Sequence, residues 1–256
     1  MCLILFAYQS VPGYPLVVAA NRDEQHARPA AVAAQWSDHP HIYAGRDLQA
    51  GGTWLGIDHH GRFAALTNFP GDETSATDLL SRGDLVSNFL QTQVSVMDYA
   101  DSLEGDCYAG YNLLLFDGDE MLYTSNRAAS RILAPGFYGL ANAELGAPWP
   151  KAEEGAVQLS EIVQTSEHSQ GLLDLLADRR TVEDEALPQR GRPIELERRL
   201  SAKFILGDTY GTRASTLVYL GTETFQLIEQ SFNAAGQATA FTELSNPIQR
   251  SRKEAL

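Results

Sequence analysis

Two apolar, β-prone runs near the start of the chain constrain its fold more than any other stretch. Residues 3–6 form the first run, directly after Cys2, and residues 16–20 form the second. Pro12 and Gly13 lie between them as a turn signal, so the stretch predicts a β-hairpin. The second run leads into four consecutive polar residues, 21–24, so polar and charged side chains lie at the open end of the hairpin.

The register of this hairpin decides the neighbour of Cys2. A turn centred between Pro12 and Gly13 places Cys2 opposite Asp23, whereas a slip of one residue places it opposite Arg22. Directly opposed side chains on one face have Cβ atoms roughly 4.5–5.5 Å apart. The hairpin therefore predicts a thiol close to a carboxylate and a guanidinium, with the particular pair left open.

Cys2 is a candidate nucleophile because of its place behind Met1. Cytosolic removal of methionine requires a small second residue, and removal would expose an α-amine on the residue that carries the thiol. An α-amine with a pKa of roughly 7.7–8.0 acts as a general base, and N-terminal amines activate nucleophiles in this way. We expect Arg22 to lower the pKa of the thiol and Asp23 to orient the ammonium or a substrate amine. The alternative is a small apolar residue of the first strand, and a chain that retains Met1 cannot use this mechanism.

A second predicted hairpin joins residues 51–57 to residues 62–69 across a turn at 58–61. This pairing places Asn68 beside Gly51 and Gly52. Glycines within a strand often mark close approach of another backbone or a ligand. We therefore expect a second convergence of backbone and polar side chain here.

The order of the remaining segments predicts the fold class. Candidate strands lie toward both ends of the chain, and helical spacing occurs in residues 79–93 and in segments 152–163, 171–179 and 195–204. Consecutive hairpins, rather than alternating βαβ units, favour antiparallel sheets with helices packed outside them. No repeat or linker divides the sequence, so we predict an α+β fold in a single domain, residues 1–256.

Charge and composition exclude several classes of binding partner. The formal net charge of −14 argues against nucleic acid or an anionic membrane as the main partner, and we expect the basic residues 250–253 to be a solvated tail. No apolar run approaches the ~18 residues of a membrane span, and no basic leader with a cleavage site is expected. With only Cys2 and Cys107, a disulfide framework is excluded. We expect a cytoplasmic protein in which Cys107 is structural.

The histidines do not predict a metal site. His39 and His41 flank a proline, and His59 and His60 lie in a predicted turn. Neither pair has nearby cysteines or carboxylates at a spacing typical of metal ligands, so we expect solvated side chains. No glycine-rich fingerprint for phosphate occurs either.

Nine motifs, in order over residues 1 to about 220, carry a family resemblance. They are Met-Cys at the start, Ala-Asn-Arg-Asp-Glu at 20–24, Gly-Gly-Thr-Trp-Leu-Gly at 51–56, Leu-Thr-Asn at 66–68, Ser-Arg-Gly at 81–83, Gly-Tyr-Asn-Leu-Leu at 110–114, Gly-Leu-Ala-Asn at 139–142, Pro-Trp-Pro-Lys at 148–151 and Tyr-Gly-Thr-Arg at 210–213. Together they resemble the transport and Golgi organisation (NRDE) family. The resemblance implies a four-layer αββα sandwich of the N-terminal-nucleophile (Ntn) hydrolase type, most similar to the cysteine-type penicillin acylase and bile-salt hydrolase group.

The same resemblance implies roles for matched residues. Cys2 would be the nucleophile, with Arg22 and Asp23 supporting it. Asn68 and Asn142 would supply oxyanion or substrate contacts, and preorganised donors of this kind typically contribute ~10²–10³ in rate. In the last motif, an arginine would complete the electrostatic pocket; that residue is Arg213.

Two functions remain open at this stage. The first is an N-terminal cysteine hydrolase that cleaves a non-peptide C–N amide bond through a thioester acyl-enzyme and requires no cofactor. The second is a non-enzymatic haem- or lipid-binding carrier on the same scaffold, since members of the family are linked to haem trafficking and lipid homeostasis. The expected partner is accordingly a small-molecule amide or a haem- or lipid-like ligand, and the oligomeric state is left open.

Overall fold

Two antiparallel sheets face each other, and helices cover the outer face of each. This architecture comes from a computed structural model that describes residues 2–70, 79–165, 168–188 and 191–249. Met1, on which the nucleophile hypothesis depends, and the basic residues 250–253 lie outside those ranges. Three apolar clusters separate the four layers, so the predicted αββα sandwich is confirmed. Within the described ranges, every helix is too short or too polar to cross a bilayer.

The strands divide into a first sheet of order β10-β1-β2-β11-β12-β13 and a second of order β3-β4-β5-β6-β7-β8-β9. Their bounds are β1 (Leu3–Val11), β2 (Tyr14–Gln25), β3 (Ala30–Gln35), β4 (Ile42–Asp47), β5 (Leu55–Asp58), β6 (Phe63–Asn68), β7 (Tyr111–Phe116), β8 (Met121–Ser125), β9 (Arg131–Ile132), β10 (Gly136–Leu140), β11 (Tyr210–Leu220), β12 (Thr224–Phe232) and β13 (Ala238–Pro247). The helices are α1 (Gly83–Leu90), α2 (Val96–Asp101), α3 (Pro150–Ile162), α4 (His168–Leu176) and α5 (Ile194–Ser201).

Alternation along the strands builds the layers. Ile4 and Phe6 of β1 lie between the sheets, where they meet apolar side chains of β6 and β7. Leu3 and Leu5 point the opposite way, against α3 and α4. Because successive side chains of a strand point to opposite faces, a strand that is apolar at every position is buried on both sides. The continuous apolar run at the start of the chain therefore reflects a central place in the sandwich.

The first hairpin forms, with its register shifted by a bulge. Val11 pairs with Tyr14, as a turn centred on Pro12 and Gly13 requires, but Leu3 pairs with Asn21. The shift falls between Tyr8 and Val11, where Gln9 adopts a left-handed φ of 48°. A bulge inserts one extra residue into one strand of a pair. It therefore selects the alternative register, in which Cys2 is the neighbour of Arg22.

The second hairpin also forms, but its first strand begins at Leu55, not at residue 51. Gly51 lies in a turn with φ +84°, and Gly52 lies against the start of α1. A Cβ on Gly52 would lie 2.6 Å from the carbonyl carbon of Gly83. These glycines therefore serve a turn and a close approach of two backbones.

Several elements differ from the sequence-based expectation. The sequence also predicts one strand region over residues 132–140, but the structure divides it, with β9 in the second sheet and β10 in the first. For the helical segment 79–93, the sequence offers Ser81 or Asp78 as the N-cap. Helix α1 begins at Gly83 after Arg82, which makes no side-chain cap, so the prediction of Ser81 is wrong; Asp78 lies outside the described residues. Strands β3 and β13 were not predicted because both lie at sheet edges, where exposure weakens the apolar alternation.

The packing of α3 on β10 generates a stability prediction. A Cβ on Gly139 would lie 2.6 Å from the main-chain carbonyl carbon of Ala152, and neither backbone can yield without moving an element. Gly139→Ala should therefore lower the free energy of unfolding by about 1–3 kcal/mol, the usual cost of overpacking. Chemical denaturation measures the effect. Gly136→Ala in the same strand is the control, because its nearest neighbours are side-chain atoms of Tyr138; equal losses in both variants would contradict the prediction.

Candidate active site

A cavity of about 320 Å³ opens where the inward-facing apolar rows of the first sheet end. Along β1, β2 and β12 these rows fill the space between the sheets. The next inward positions beyond them hold Cys2, Arg22 and Glu229, and all three side chains line the cavity. The candidate site is therefore the polar end of the inter-sheet core.

Cys2 is almost fully buried at the wall of this cavity, with 8% of its surface exposed. Its Sγ donates a long hydrogen bond of 4.0 Å to the main-chain oxygen of Asp23. Burial raises the pKa of the thiol, the Asp23 carboxylate raises it further, and Arg22 lowers it by less. Arg22 thus lowers the pKa of the thiol, as expected, but loss of hydration outweighs the guanidinium and the net pKa is raised. This thiol needs a base.

Arg22 projects into the same cavity. Its side chain is only 11% exposed, and its nearest acidic partner is Glu24, at 3.8 Å. No hydrogen bond joins its guanidinium to another described residue. A buried guanidinium next to the thiol, with donors unused by the fold, is available to a bound molecule.

Asp23 is held rigidly from the neighbouring strand. Its Oδ1 accepts a 2.7 Å hydrogen bond from Thr212 Oγ1, and its main-chain oxygen accepts one of 3.1 Å from the Tyr210 hydroxyl. Burial raises the pKa of the carboxyl, while Lys151 and Thr212 lower it. Lys151 is itself buried and donates to the main-chain oxygen of Leu200 at 2.9 Å. The sequence predicted that Asp23 lies near the thiol, but it did not predict the contacts from Thr212, Tyr210 and Lys151.

The two predicted asparagines occupy different positions. Asn68 ends β6 and lines the cavity, whereas Asn142 is buried and is not among the described residues that line it. Asn142 Nδ2 donates to the main-chain oxygen of Asn68 at 2.6 Å, and its Oδ1 has no partner among the described residues. The contacts therefore make Asn142 a support for Asn68, and its role as an oxyanion donor stays a prediction.

A polar network behind Asn68 ties the two sheets together. Thr67 Oγ1 donates to the main-chain oxygen of Ala141 at 2.6 Å, and Asn112 Nδ2 donates to Thr67 Oγ1 at 3.0 Å. The Tyr123 hydroxyl donates to Asn112 Oδ1 at 2.7 Å. An asparagine within the buried run of β7 is the sequence signal for this network. It fixes the segment that carries Asn142.

Arg213 lines the cavity from a bulge in β11, between Thr212 and Ala214. Its Nη1 donates to three main-chain oxygens at and just beyond the end of β2, those of Gln25, His26 and Arg28, at 3.0–3.1 Å. Burial lowers the pKa of its guanidinium, and the nearby charge of Arg22 lowers it further. The structure thus places Arg213 at the wall of the same cavity as Cys2, and its functional role stays a prediction.

Glu229 belongs to the site but was missed in the sequence. Its Oε1 accepts from the Ala33 amide at 2.7 Å, and its Oε2 accepts from Thr216 Oγ1 at 3.3 Å. Burial raises the pKa of the carboxyl. The sequence signal for Glu229 is its alternation with Phe225 and Leu227, because alternate residues of a strand point to the same face and these two point inward.

The remaining candidates lie elsewhere. Among the described residues, no group of three or more histidine, cysteine or acidic side chains has the geometry of a metal site. His59 and His60 contact each other through their Nε2 atoms at 2.9 Å, away from the cavity. Cys107 is half-buried, and its thiol donates to Glu104 at 3.5 Å.

The buried thiol generates a pH prediction. In protein that retains Met1 and carries Cys107→Ser, alkylation of Cys2 by iodoacetamide should rise with pH through a midpoint above the ~8.5 of free cysteine, because burial disfavours the thiolate. Intact-mass kinetics between pH 6 and 10.5 measure it. Arg22→Gln should raise the midpoint further by removing a favourable charge, whereas Arg198→Gln, exposed and paired with Asp184, should leave it unchanged. A midpoint below 8 would contradict the argument.

Comparisons with known proteins agree with this motif set. The sequence model of the family described as Transport and Golgi organisation 2 matches residues 1–234. The Transport and Golgi organization 2 homolog of Mus musculus is 36% identical over 245 residues, covering 85% of this chain and 88% of the relative. The Homo sapiens homolog is 35% identical over 243 residues, with 85% and 88% covered. Among solved structures, a Caenorhabditis elegans N-acylethanolamine-hydrolyzing acid amidase ortholog aligns over 86% of this chain and 93% of its own, with a TM-score of 0.49 and 11% identity. On the family match and the two homologs, the chain belongs to the transport and Golgi organisation 2 family.

Proposed function

We propose that this protein is an N-terminal cysteine hydrolase that cleaves a non-peptide C–N amide bond. The observation that carries the proposal is the position of the Cys2 thiol, at the wall of a cavity also lined by Arg22, Asp23 and Asn68. The thiol has a raised pKa, so it needs a base close by. The α-amine that removal of Met1 creates on Cys2 itself is that base.

The reaction proceeds through a thioester. The α-amine takes the thiol proton, and the Cys2 sulfur attacks the amide carbonyl carbon to form a tetrahedral oxyanion. Collapse of this intermediate breaks the C–N bond, and the leaving amine takes a proton from the α-ammonium. Water, activated by the same α-amine, then attacks the thioester carbon; the acid product leaves and the thiol is restored. Every atom comes from substrate, water and Cys2, so no cofactor is required.

The residues around Cys2 have separate roles in this reaction. Asp23, anchored by Thr212, holds the α-amine of Cys2 in place. Asn68 faces the cavity and donates to the oxyanion, while Asn142 fixes the backbone of Asn68. Arg22 stabilises the thiolate as it forms.

Processing of Met1 is the decisive test. Protein with Met1 removed should hydrolyse N-acyl-7-amino-4-methylcoumarin amides. It should also accumulate an acyl-enzyme, detected as a mass increase of one acyl group on Cys2. Inserting one alanine between Met1 and Cys2 leaves the thiol and displaces the amine, so activity should fall at least 10³-fold, as it should in Cys2→Ala. Fluorescence assays with intact-mass spectrometry measure both effects.

Cys107→Ser is the matched control, because this cysteine lies outside the cavity. It should retain full activity. Equal activity in the alanine-insertion variant and the processed protein would overturn the amine-as-base mechanism, and a native protein that keeps Met1 would overturn the proposed function.

A second cavity favours the carrier as the alternative. About 660 Å³ in volume, it lies at the turn end of the first hairpin and is lined mainly by apolar and aromatic side chains, including Val17, Phe137 and Tyr219. His168 also lines it, with its ring 5.1 Å from that of Tyr219. Such a lining fits a lipid-like ligand, and a histidine is the residue that commonly holds haem iron.

The carrier alternative predicts saturable haem binding at this second cavity. Titration with hemin should shift the Soret band with a defined stoichiometry, and His168→Ala should abolish the shift because it removes the iron ligand. Cys2→Ala is the control and should bind normally, since Cys2 lines the other cavity. A titration that never saturates, or a shift unchanged in His168→Ala, would exclude this version of the carrier.

A further inference from the structure

Arginine side chains cluster at the cavity beside Cys2, together with four acidic ones, Asp23, Glu24, Asp47 and Glu229. The net charge of the sequence is −14, yet five guanidinium groups line this one cavity: Arg22, Arg28, Arg46, Arg82 and Arg213. Guanidinium forks match the geometry of carboxylates and phosphates. Which of the five are available to a bound molecule depends on their existing partners.

Three of the five are already engaged by the protein. Arg28 forms an ion pair of 2.6 Å with Asp47, and Arg46 forms one of 2.7 Å with Asp38. Arg82 donates to the main-chain oxygen of Gly110 at 3.1 Å. These contacts hold the cavity walls.

Arg22 and Arg213 are different. Arg22 pairs with Ala214 across the strands, so the two arginines are close neighbours. Arg22 has a 3.8 Å contact with Glu24 and no hydrogen bond to a described residue. Arg213 donates through Nη1 to neutral main-chain oxygens and forms no ion pair with a described residue. Two like charges in a largely buried place repel each other, and an anion between them would offset that cost.

Glu24 and Glu229, two acidic side chains at the cavity wall, do not supply an anion between Arg22 and Arg213. Glu24 accepts from the Gln25 amide at 2.7 Å with Oε1, and its Oε2 stays 3.8 Å from Arg22. Glu229 accepts with both oxygens, from Ala33 and Thr216. Among the described residues, no carboxylate therefore lies at hydrogen-bond distance from these two guanidiniums beside the thiol.

We propose that the substrate carries an oxyanion group, a carboxylate or a phosphate, which Arg22 and Arg213 bind while the scissile amide lies at Cys2. The identity of the cleaved bond rests on the proposed function, whereas the binding of the anion does not. The modest cavity, near the lower end of small-molecule sites, favours a short acyl amide.

Binding to the Cys2→Ala variant tests the inference without turnover. The probes are N-hexanoylglycine, O-phospho-N-hexanoylethanolamine and the neutral N-hexanoylethanolamine, compared by isothermal titration calorimetry. At least one anionic probe should bind tenfold or more tightly than the neutral one, and the stronger of the two identifies the anion. Raising NaCl from 50 to 500 mM should weaken that binding and leave the neutral probe unchanged.

Substitutions test whether Arg22 carries the preference. In the Cys2→Ala background, Arg22→Gln should reduce the anion preference to less than threefold, whereas Arg198→Gln, with the same charge change on the exposed surface, should keep it. Arg22→Lys, which keeps the charge but loses the fork, should fall between them and covers the case in which Arg22→Gln fails to fold. Equal affinity for neutral and anionic probes, no saturable binding, or a preference that survives both Arg22 substitutions would overturn the inference.

Turnover by the wild-type protein separates this inference from the proposed function. An anion preference in Cys2→Ala, with no hydrolysis of any probe by wild-type protein freed of Met1, contradicts the hydrolase and leaves the anion site standing. Hydrolysis of the neutral probe at the same kcat/KM as the anionic probes contradicts the anion site and leaves the hydrolase standing.

Discussion

The pairing of β1 with β2 is the constraint on which the site depends. The side chains of residues 3–8 and 16–21 are all buried, and the register decides which face each one takes. Because the side-chain period of a strand is two, a shift of one residue exchanges the faces. The bulge at Gln9 sets that register, so Arg22 follows the inward row beside Cys2 while Asn21 turns to the helices and donates to the main-chain oxygens of α4 and of Lys203. One local distortion near the turn thus decides what faces the thiol at the other end.

Burial explains the electrostatics of this end of the sandwich. The thiol, Asp23 and Glu229 all have raised pKa values, and Arg213 has a lowered one; in each case loss of hydration is the first cause. Every one of these groups is therefore biased toward its neutral form. A site of this kind gains when a bound charge or a neighbouring base compensates the buried groups. The proposed α-amine base would offset the raised pKa of the thiol, whereas the inferred oxyanion rests on the positions of Arg22 and Arg213 in the cavity.

The sequence predicted what is local and missed what is distant. The apolar runs, the Pro12-Gly13 turn and the place of Cys2 depend on neighbouring residues, and the hairpin followed from them, whereas the four layers were implied by the family resemblance. Gln9 carries no bulge signal, so the register stayed open between two partners. Glu229 reaches the site from more than two hundred residues away in sequence. The effect of Arg22 on the thiol pKa could be predicted because an opposed arginine is visible in a hairpin, whereas the larger effect of burial could not, because the depth of burial is a property of the whole sandwich.

The site also depends on how the two sheets are joined. Cys2 and Arg22 belong to the first sheet and Asn68 to the second, so their separation is fixed only as well as the interface between the sheets. Thr67 and Asn112 fasten the second sheet to the segment after β10, and Asn142 in that segment then holds the backbone of Asn68. Buried, mutually satisfied hydrogen bonds resist displacement because breaking one leaves a polar group without a partner. Asn142, which does not line the cavity, can thereby set the distance between the Cys2 thiol and Asn68.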